Sequence, residues 1–297
     1  MIAWPPISRP LPALRRLVSA VMLSAGAVLS GATAMPALAG PQVSDMVQAS
    51  LLPGWQTASG TRMTALKLEL ADGWKTYWRS PGDAGIPPEF NWSGSQNLGS
   101  VSIRWPVPEV FELNGMRSIG YKHALVLPIE ITPKDPSQPV HLNAGIDIGV
   151  CRDICVPVSL RTALDLTGEG APDPAIRAAL SHQPLRGADA GVSRVSCTVA
   201  PTADGLRVTA TLTLPAPRGT AQLAGPGGAG AAEIAVFEPS DPTLWVSDSE
   251  TERQGDRLVA SSDLVPSTPG PVMLDRSRLR ITVLSPGRAV EIAGCDG

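Results

Sequence analysis

Two cysteines, Cys151 and Cys155, lie four positions apart between two runs of alternating apolar residues. Such a pair of thiols can form a disulfide, bind a soft metal ion or exchange disulfides with another protein. In one continuous strand the two Cα atoms would lie about 13 Å apart, whereas a disulfide requires roughly 4.4–6.8 Å. If the sulfurs are joined, the chain must therefore reverse at residues 152–154, with one sulfur on each arm of a hairpin.

The short spacing also bears on the chemistry of this pair. A disulfide that closes so small a loop constrains the unfolded chain little, so its contribution to stability is small. An exposed disulfide at a hairpin tip is easier to reach and to reduce than one that closes a long loop. The positive charge of Arg152 would favour the thiolate, whereas Asp153 would disfavour it. The pattern favours thiol–disulfide exchange, with a permanently oxidised clip as an alternative.

Metal binding by the two thiolates is a third interpretation. A closed zinc or copper(I) site needs further soft or imidazole ligands, but His123, His141 and His182 are scattered singly. The glycine-rich run 224–230 lacks the Gly-Lys-Ser or Gly-Lys-Thr of a phosphate-binding loop, so we predict a hairpin tip there. We predict no cofactor and assign no metal ligand.

The other two cysteines, Cys197 and Cys295, are far apart in the sequence. In an oxidising compartment the simplest pairing is a structural disulfide that ties the end of a C-terminal module to its beginning. Closing the loop of about 99 residues between them would stabilise the fold by roughly 4–5 kcal/mol in the chain-entropy account. We therefore predict one exchange-active pair and one structural pair.

Residues 1–39 have the composition of a secretory signal peptide. Three arginines lie within the first 16 residues, an uncharged apolar stretch follows, and Ala37-Leu38-Ala39 is a small-residue cleavage pattern. The apolar stretch is short for a membrane span, so a cleaved leader is favoured over an uncleaved anchor. We therefore predict secretion into the periplasm, where disulfides form and persist.

The charge balance argues against nucleic acid as a partner. Cleavage after Ala39 would remove three arginines and no acidic residue, which leaves 21 basic and 27 acidic side chains and a net charge of −6. Binding to phosphates would instead need a basic patch. No later segment is apolar over the length that a membrane helix requires.

The rest of the sequence predicts an all-β fold of two immunoglobulin-like β-sandwich domains joined by a short linker. Proline (30) and glycine (29) are abundant, and the short apolar segments end in turn residues, as in β-sandwiches. We assign residues 40–166 to the first sandwich, residues 167–190 to the linker and residues 191–297 to the second sandwich. Pro174–Ser181 is the predicted helix, with Asp173 as its N-cap.

Alternating apolar residues predict strands that bury one face in the first sandwich. These strands are Thr64–Leu70, Ser100–Trp105, Ala124–Ile131, Val140–Val150 and Val156–Leu166. Five aromatic residues cluster nearby, namely Trp74, Tyr77, Trp78, Phe90 and Trp92. We predict that they pack in the core, with a carbohydrate platform as the alternative. A glycosidase pair of Asp83 and Glu89 is disfavoured, because proline-rich turns give these acids no fixed spacing.

Several motifs between residues 72 and 157 occur in an order that is shared with a known family. They are Asp72–Trp78 (DGWKTYW), Pro81–Pro88 (PGDAGIPP), Gly120-Tyr121, Leu127-Pro128, Gly149–Cys151 and Cys155–Pro157. In order and spacing they resemble the amino-terminal (alpha) domain of the DsbD family of thiol:disulfide interchange proteins, particularly the ScsB-like relatives. The resemblance spans about residues 42–166.

The resemblance implies an immunoglobulin-like sandwich whose cysteine pair takes electrons from a membrane partner and passes them to periplasmic disulfide proteins. Cys151 and Cys155 match the two family cysteines, although the best-known members have five residues between them where this chain has three. The cap loop that shields the sulfurs in that family corresponds to Glu112, Leu113 and Asn114. Leu113 would stand in place of the family's aromatic cap residue.

Full-length members of the family also carry a transmembrane electron-transfer domain and a thioredoxin-like domain. This sequence contains neither, so the resemblance implies a membrane-embedded thiol electron donor on a separate chain. The acceptors would be periplasmic thioredoxin-like or disulfide isomerase proteins, in processes such as cytochrome c biogenesis or copper tolerance. The alternative is a non-catalytic periplasmic binding or copper-handling protein in which both disulfides are structural.

Overall fold

The structure of the protein is a computed structural model in which most of the chain after the predicted leader is described. The described residues are 42–83, 85–113, 116–217, 233–268 and 270–296, with Leu113 described by its backbone alone. The predicted signal peptide, the predicted cap residue Asn114 and the glycine-rich run 224–230 lie outside them. The described part of the chain contains no helix long and apolar enough to cross a membrane.

Strands dominate the described residues, which confirms the predicted all-β fold. The first ten strands are β1 (Val47–Gln56), β2 (Arg62–Leu70), β3 (Lys75–Tyr77), β4 (Glu89–Asn91), β5 (Leu98–Ile103), β6 (Glu109–Leu113), β7 (Met116–Lys122), β8 (Ala124–Pro133), β9 (Val140–Cys151) and β10 (Cys155–Leu166). The later elements are α1 (Pro174–Ser181), β11 (Leu185–Arg186), β12 (Arg194–Pro201), β13 (Leu206–Thr213), β14 (Ile234–Glu238), β15 (Leu244–Val246), β16 (Glu250–Gln254), β17 (Arg257–Pro266), β18 (Arg280–Ser285) and β19 (Arg288–Ala293).

The first sandwich consists of two sheets. One has the strand order β1-β2-β8-β5, and the other has the order β10-β9-β3-β7-β6, with β4 also paired to β9. Even-numbered residues of β9, such as Ile146, Ile148 and Val150, lie in the core. Because successive side chains of a strand point to opposite faces, the odd-numbered Gly149 and Cys151 face away from the core.

The short strand β3 brings chemistry-bearing side chains next to the cysteine hairpin. Lys75 of β3 pairs with Cys151 of β9 on one side and with Lys122 of β7 on the other. Gly120 of β7 lies opposite Tyr77, and a Cβ at this glycine would lie only 2.0 Å from the backbone oxygen of Thr76. Glycine is therefore required for β7 and β3 to approach this closely.

The helix α1 begins and ends at the predicted residues. Asp173 Oδ1 accepts hydrogen bonds from the backbone N–H groups of Ala175 at 2.7 Å and Ile176 at 3.2 Å, as an N-cap does. Ile176 is fully buried against Met63 and Ala65 of β2. The segment between the two sandwiches is thus packed on the first sandwich through α1 and paired with the second through β11 and β19.

The second sandwich also contains two sheets, with the orders β11-β19-β18-β14 and β12-β13-β17-β15, and β16 pairs with β17. Its core includes Val208, Ala210 and Leu212 of β13, where the sequence alternates cleanly. Ile234 and Val236 of β14 belong to the same apolar cluster as the core of the first sandwich. The two sandwiches therefore contact each other, while the exact domain boundaries stay a prediction.

Candidate functional site

The cysteine hairpin has the geometry that the sequence requires. Strands β9 and β10 pair along their whole length, and Cys151 lies directly opposite Cys155. A disulfide joins the two residues, whose Cα atoms are 4.2 Å apart. The backbone N–H of Arg152 donates to the carbonyl of Ile154 at 3.2 Å and closes the turn. The chain thus reverses at residues 152–154, as we predicted.

The two half-cystines differ in their exposure to solvent. Cys151 is only 2% exposed, whereas Cys155 is exposed. Beside it, the side chain of Ile154 is 65% exposed at the tip of the hairpin. Cys155 is therefore the half-cystine that borders solvent, while Cys151 lies behind other side chains.

Tyr77 is the side chain that shields the disulfide most directly. Its hydroxyl oxygen lies 2.6 Å from Cys151 Sγ and 3.1 Å from Cys155 Sγ. Because disulfide sulfurs carry no hydrogen, the tyrosine hydroxyl must be the donor. Burial raises the pKa of Tyr77, which further disfavours the ionised phenolate that could not donate.

Small residues make room for this tyrosine ring. A Cβ on Gly149 would lie 2.9 Å from Tyr77 Cε2 and 2.7 Å from Ile86 Cβ, and a Cβ on Gly85 would lie 3.0 Å from Tyr77 Cδ1. The ring is therefore enclosed between β9 and the segment that follows β3. This enclosure fixes the hydroxyl on the sulfurs and explains why Tyr77 is only 2% exposed.

Two basic residues near the disulfide are already engaged by neighbours. Lys75 Nζ donates to Ser118 Oγ at 3.2 Å and lies 5.0 Å from the centroid of the Phe111 ring. Burial lowers the pKa of Lys75. Arg152 Nε donates to Asp153 Oδ2 at 3.0 Å. The two residues, which we expected to have opposite effects on the thiolate, therefore form an ion pair with each other.

The predicted cap residues are described only in part. Glu112 lies in β6 with an exposed side chain, 3.6 Å from Arg117 Nη2. Leu113 ends β6, its side chain is not described, and Asn114 lies outside the described residues. Their role as a cap therefore stays a prediction, and the described shield over Cys151 is Tyr77.

The second disulfide joins Cys197 and Cys295, whose Cα atoms are 5.7 Å apart. Cys197 is 1% exposed in the core of the second sandwich. Its backbone N–H donates to the carbonyl of Asp296 at 2.7 Å, which ties the end of the described chain to β12. This placement agrees with the structural role that we predicted, although the role itself stays a prediction.

The aromatic cluster divides into core residues and one site residue. Trp74 and Trp78 are buried in the core of the first sandwich, and the stacked pair of Phe90 and Trp92, with ring centroids 5.9 Å apart, packs against that core. Tyr77 faces the other way, towards the disulfide. Tyr77 is buried like Trp74 and Trp78, but it lies outside their apolar cluster and its hydroxyl contacts the disulfide, a role that we did not predict. Among the described residues no group of three or more His, Cys, Asp or Glu side chains could hold a metal ion.

The Tyr77 hydroxyl should also favour the thiolate form of the reduced pair, because a hydrogen bond to the charged form of a group stabilises that form. In a Tyr77→Phe variant we expect alkylation of the reduced pair at pH 7 to slow by about tenfold or more, since hydrogen bonds to charged groups contribute about 1.5–3 kcal/mol and about 1.4 kcal/mol corresponds to a factor of ten. The rate of iodoacetamide labelling as a function of pH measures this effect. Tyr121→Phe is a matched control, because that buried hydroxyl donates to the carbonyl of Pro106 instead. Superimposable pH profiles for Tyr77→Phe and the wild type would contradict the assignment.

The fold and the site together define an immunoglobulin-like β-sandwich that carries a hairpin disulfide with one accessible half-cystine. Residues 48–167 match the family model described as "Thiol:disulfide interchange protein DsbD, N-terminal". The first sandwich therefore belongs to the DsbD N-terminal-like family, which confirms the resemblance found in the sequence. The second sandwich lies outside the matched residues.

One solved structure has a likeness of fold that extends beyond the residues of this match. The N-terminal periplasmic domain of ScsB from Proteus mirabilis is 23% identical, with a TM-score of 0.57, over 84% of this chain and 92% of that chain. The reduced N-terminal domain of DsbD from Neisseria meningitidis matches with 17% identity and a TM-score of 0.28, over 44% of this chain and 90% of that chain. No curated protein matches the chain.

Proposed function

We propose that the first sandwich is a periplasmic thiol–disulfide exchange module that uses the Cys151–Cys155 pair. The observation that carries this proposal is the unequal exposure of the two half-cystines at the hairpin tip, within residues that match a thiol:disulfide interchange family. Exchange needs one sulfur that a partner can reach and a second sulfur close enough to resolve the mixed disulfide. Cys155 meets the first requirement, and Cys151 meets the second.

The exchange reaction consists of two displacements at sulfur. In the reduced chain the Cys155 thiolate attacks one sulfur of a partner disulfide, a mixed disulfide forms, and the partner's other sulfur leaves as a thiolate. The Cys151 thiolate then attacks Cys155 Sγ, and the partner's second sulfur leaves as a thiolate. The partner has gained two electrons, its thiolates take up protons according to their pKa, and the Cys151–Cys155 disulfide has formed.

The same steps in reverse reduce the Cys151–Cys155 disulfide again. A membrane-embedded dithiol on a separate chain would reduce Cys151–Cys155, and periplasmic thioredoxin-like or disulfide isomerase proteins would receive the electrons. The match to a thiol:disulfide interchange family supports interchange of this kind, and the likeness to the ScsB periplasmic domain supports placement in the periplasm. We further propose that residues 1–39 direct the chain there and that Glu112, Leu113 and Asn114 cap the site.

Capture of the partner tests this proposal. In a Cys151→Ser variant the exposed Cys155 can attack a partner disulfide, but no neighbouring thiol can resolve the adduct. We expect this variant to accumulate covalent adducts in the cell envelope that disappear when a reductant is added. Electrophoresis without reductant, followed by mass spectrometry of the captured protein, measures the outcome.

Matched variants make the capture experiment interpretable. Cys155→Ser retains only the shielded Cys151, so we expect few adducts, and the variant with both serines should form none. Adducts with a thioredoxin-like protein would support the proposed acceptors. If neither single variant forms an adduct although both are folded and secreted, the exchange function is wrong and a non-catalytic binding protein is the better account.

A further inference from the structure

A short stretch after β3 connects the disulfide site to the second sandwich. We call its described residues, Arg79–Asp83, Gly85 and Ile86, the cover segment. The end of this segment lies on Tyr77, because a Cβ on Gly85 would be 3.0 Å from the tyrosine ring and Ile86 packs beside that ring on Gly149. The cover segment thus encloses the side chain that contacts both sulfurs.

The beginning of the cover segment is held by an ion pair to the second sandwich. Arg79 Nε donates to Glu238 Oε1 at 2.8 Å, and Arg79 Nη2 donates to Glu238 Oε2 at 3.0 Å and to Glu291 Oε2 at 2.6 Å. The side chains of Arg79 and Glu238 are each only 16% exposed. Bidentate hydrogen bonds between charged groups are strong and directional, and partial burial protects them from the screening that weakens surface pairs.

The middle of the cover segment lies beside a third acidic residue of the same sandwich, Asp248. Arg117 Nη1 of β7 lies 3.7 Å from Asp248 Oδ2, so this carboxylate pairs with the strand that borders the cover segment. Gly82 has a φ of +79°, and a Cβ there would lie 3.1 Å from the backbone oxygen of Arg117 and 3.6 Å from Asp248 Oδ1. The segment therefore passes through a narrow polar contact with the second sandwich before it returns to Tyr77.

On the side that faces the second sandwich, the cover segment is not held by packing alone. A cleft of about 630 Å³ separates it from strands β14 and β15 and is lined by Pro81, Val236 and Trp245, among others. Close-packed side chains resist displacement, whereas a side chain that borders open space lacks those contacts. The ion pair of Arg79 with Glu238 and Glu291 therefore holds the cover segment to the second sandwich, and the backbone N–H of Ile119, which donates to the Pro81 carbonyl at 2.8 Å, holds it to β7.

We infer that Arg79 is a positioning residue through which the second sandwich holds the cover segment over Tyr77, so that Cys151 stays shielded while Cys155 stays open. This inference rests on the proposed exchange function, since it explains how a visiting protein is directed to one sulfur of the pair. Arg79 acts through Tyr77 and Ile86 and does not itself contact the sulfurs in the described contacts.

The test compares how fast the two cysteines of the reduced pair are labelled. With a single-hit dose of iodoacetamide, we expect wild-type protein to be labelled far more at Cys155 than at Cys151, as read by peptide mass spectrometry. Arg79→Ala should lower this ratio by about tenfold or more, which corresponds to roughly 1.4 kcal/mol of lost shielding. Glu238→Gln should act in the same direction, and Arg79→Lys should restore part of the ratio because it keeps the charge.

A surface pair elsewhere in the second sandwich provides the control. Arg207 makes two hydrogen bonds of 2.7 Å to Asp263, far from the cover segment in the sheet order, and Arg207→Ala should leave the labelling ratio unchanged. The Cys197–Cys295 disulfide must stay closed and thermal unfolding must stay cooperative, which distinguishes a displaced cover segment from an unfolded chain.

The outcomes separate this inference from the proposed function. If Arg79→Ala and Glu238→Gln fold and keep the wild-type labelling ratio, the inference is wrong. If Arg79→Ala does not fold, Glu238→Gln and Glu291→Gln, which keep the arginine and the side-chain shapes, decide the question. Failure of the wild-type pair to exchange with any disulfide would overturn the proposed function. The labelling ratio would still show whether Arg79 keeps Cys151 shielded.

Discussion

Replacing Cys155 by serine is expected to slow the reaction of the reduced hairpin with glutathione disulfide by about a thousandfold or more, because an alcohol oxygen does not replace a thiolate at sulfur. The remaining thiol does not compensate, since Cys151 is 2% exposed and lies against Tyr77. In Cys151→Ser the first displacement should persist, and glutathione should accumulate on Cys155 because nothing resolves the adduct.

Acid quenching at timed intervals and intact-mass measurement follow both variants. The wild type should pass through the glutathione adduct to the closed disulfide, Cys151→Ser should stop at the adduct, and Cys155→Ser should remain largely unreacted. Equal reaction rates for the two single variants would show that the shielding seen in the structure does not distinguish the sulfurs.

Removing the long-range disulfide should have the largest effect on stability. Replacing Cys197 and Cys295 by serine is expected to lower the free energy of unfolding by about 4–5 kcal/mol, because the closed loop of about 99 residues restricts the unfolded chain. The same account gives only about 2 kcal/mol for the five-residue loop between Cys151 and Cys155. Urea unfolding of the two double variants measures both values.

The order of these two effects is the informative outcome. If the pair at the hairpin tip stabilised the protein more than Cys197–Cys295 does, the tip disulfide would be a structural clip and the division of roles would be reversed. Retention of glutathione exchange in the variant without Cys197 and Cys295 would show that the chemistry depends on the first sandwich alone.

The hairpin could be predicted from the sequence because a disulfide limits the distance between the Cα atoms of its two cysteines. Two sulfurs four residues apart can join only if the chain turns between them, and the flanking strands have apolar residues at alternate positions that fix their buried faces. The helix α1 was equally predictable, because Asp173 and Pro174 mark its start by local chemistry. Both predictions depend only on residues that are close together in the sequence.

Tyr77 was missed because its neighbours are core residues. Trp74 and Trp78 point inward, and a strand of three residues is too short for alternation to show that Tyr77 points outward. The useful signal was Gly149, a glycine on the outward face of β9 that leaves space for a ring. Finding that ring required the pairing of β3 with β9, which no local pattern specifies.

The contacts of Arg79 were beyond sequence reasoning for a similar reason. Its partners, Glu238 and Glu291, lie 159 and 212 residues further along the chain. Their proximity depends on how the two sandwiches pack, and a single sequence gives no measure of that arrangement. The predicted cap at residues 112–114 came from family resemblance and from no local pattern of the sequence.

A redox titration in glutathione buffers tests the central claim most directly. The folded wild-type protein is equilibrated at a series of potentials, and each cysteine is then scored as free or bonded by alkylation and peptide mass spectrometry. We expect Cys151–Cys155 to open and close reversibly within the buffered range while Cys197–Cys295 stays bonded throughout, as structural disulfides resist this buffer. A Cys151–Cys155 bond that persists alongside Cys197–Cys295 at every potential would contradict the account.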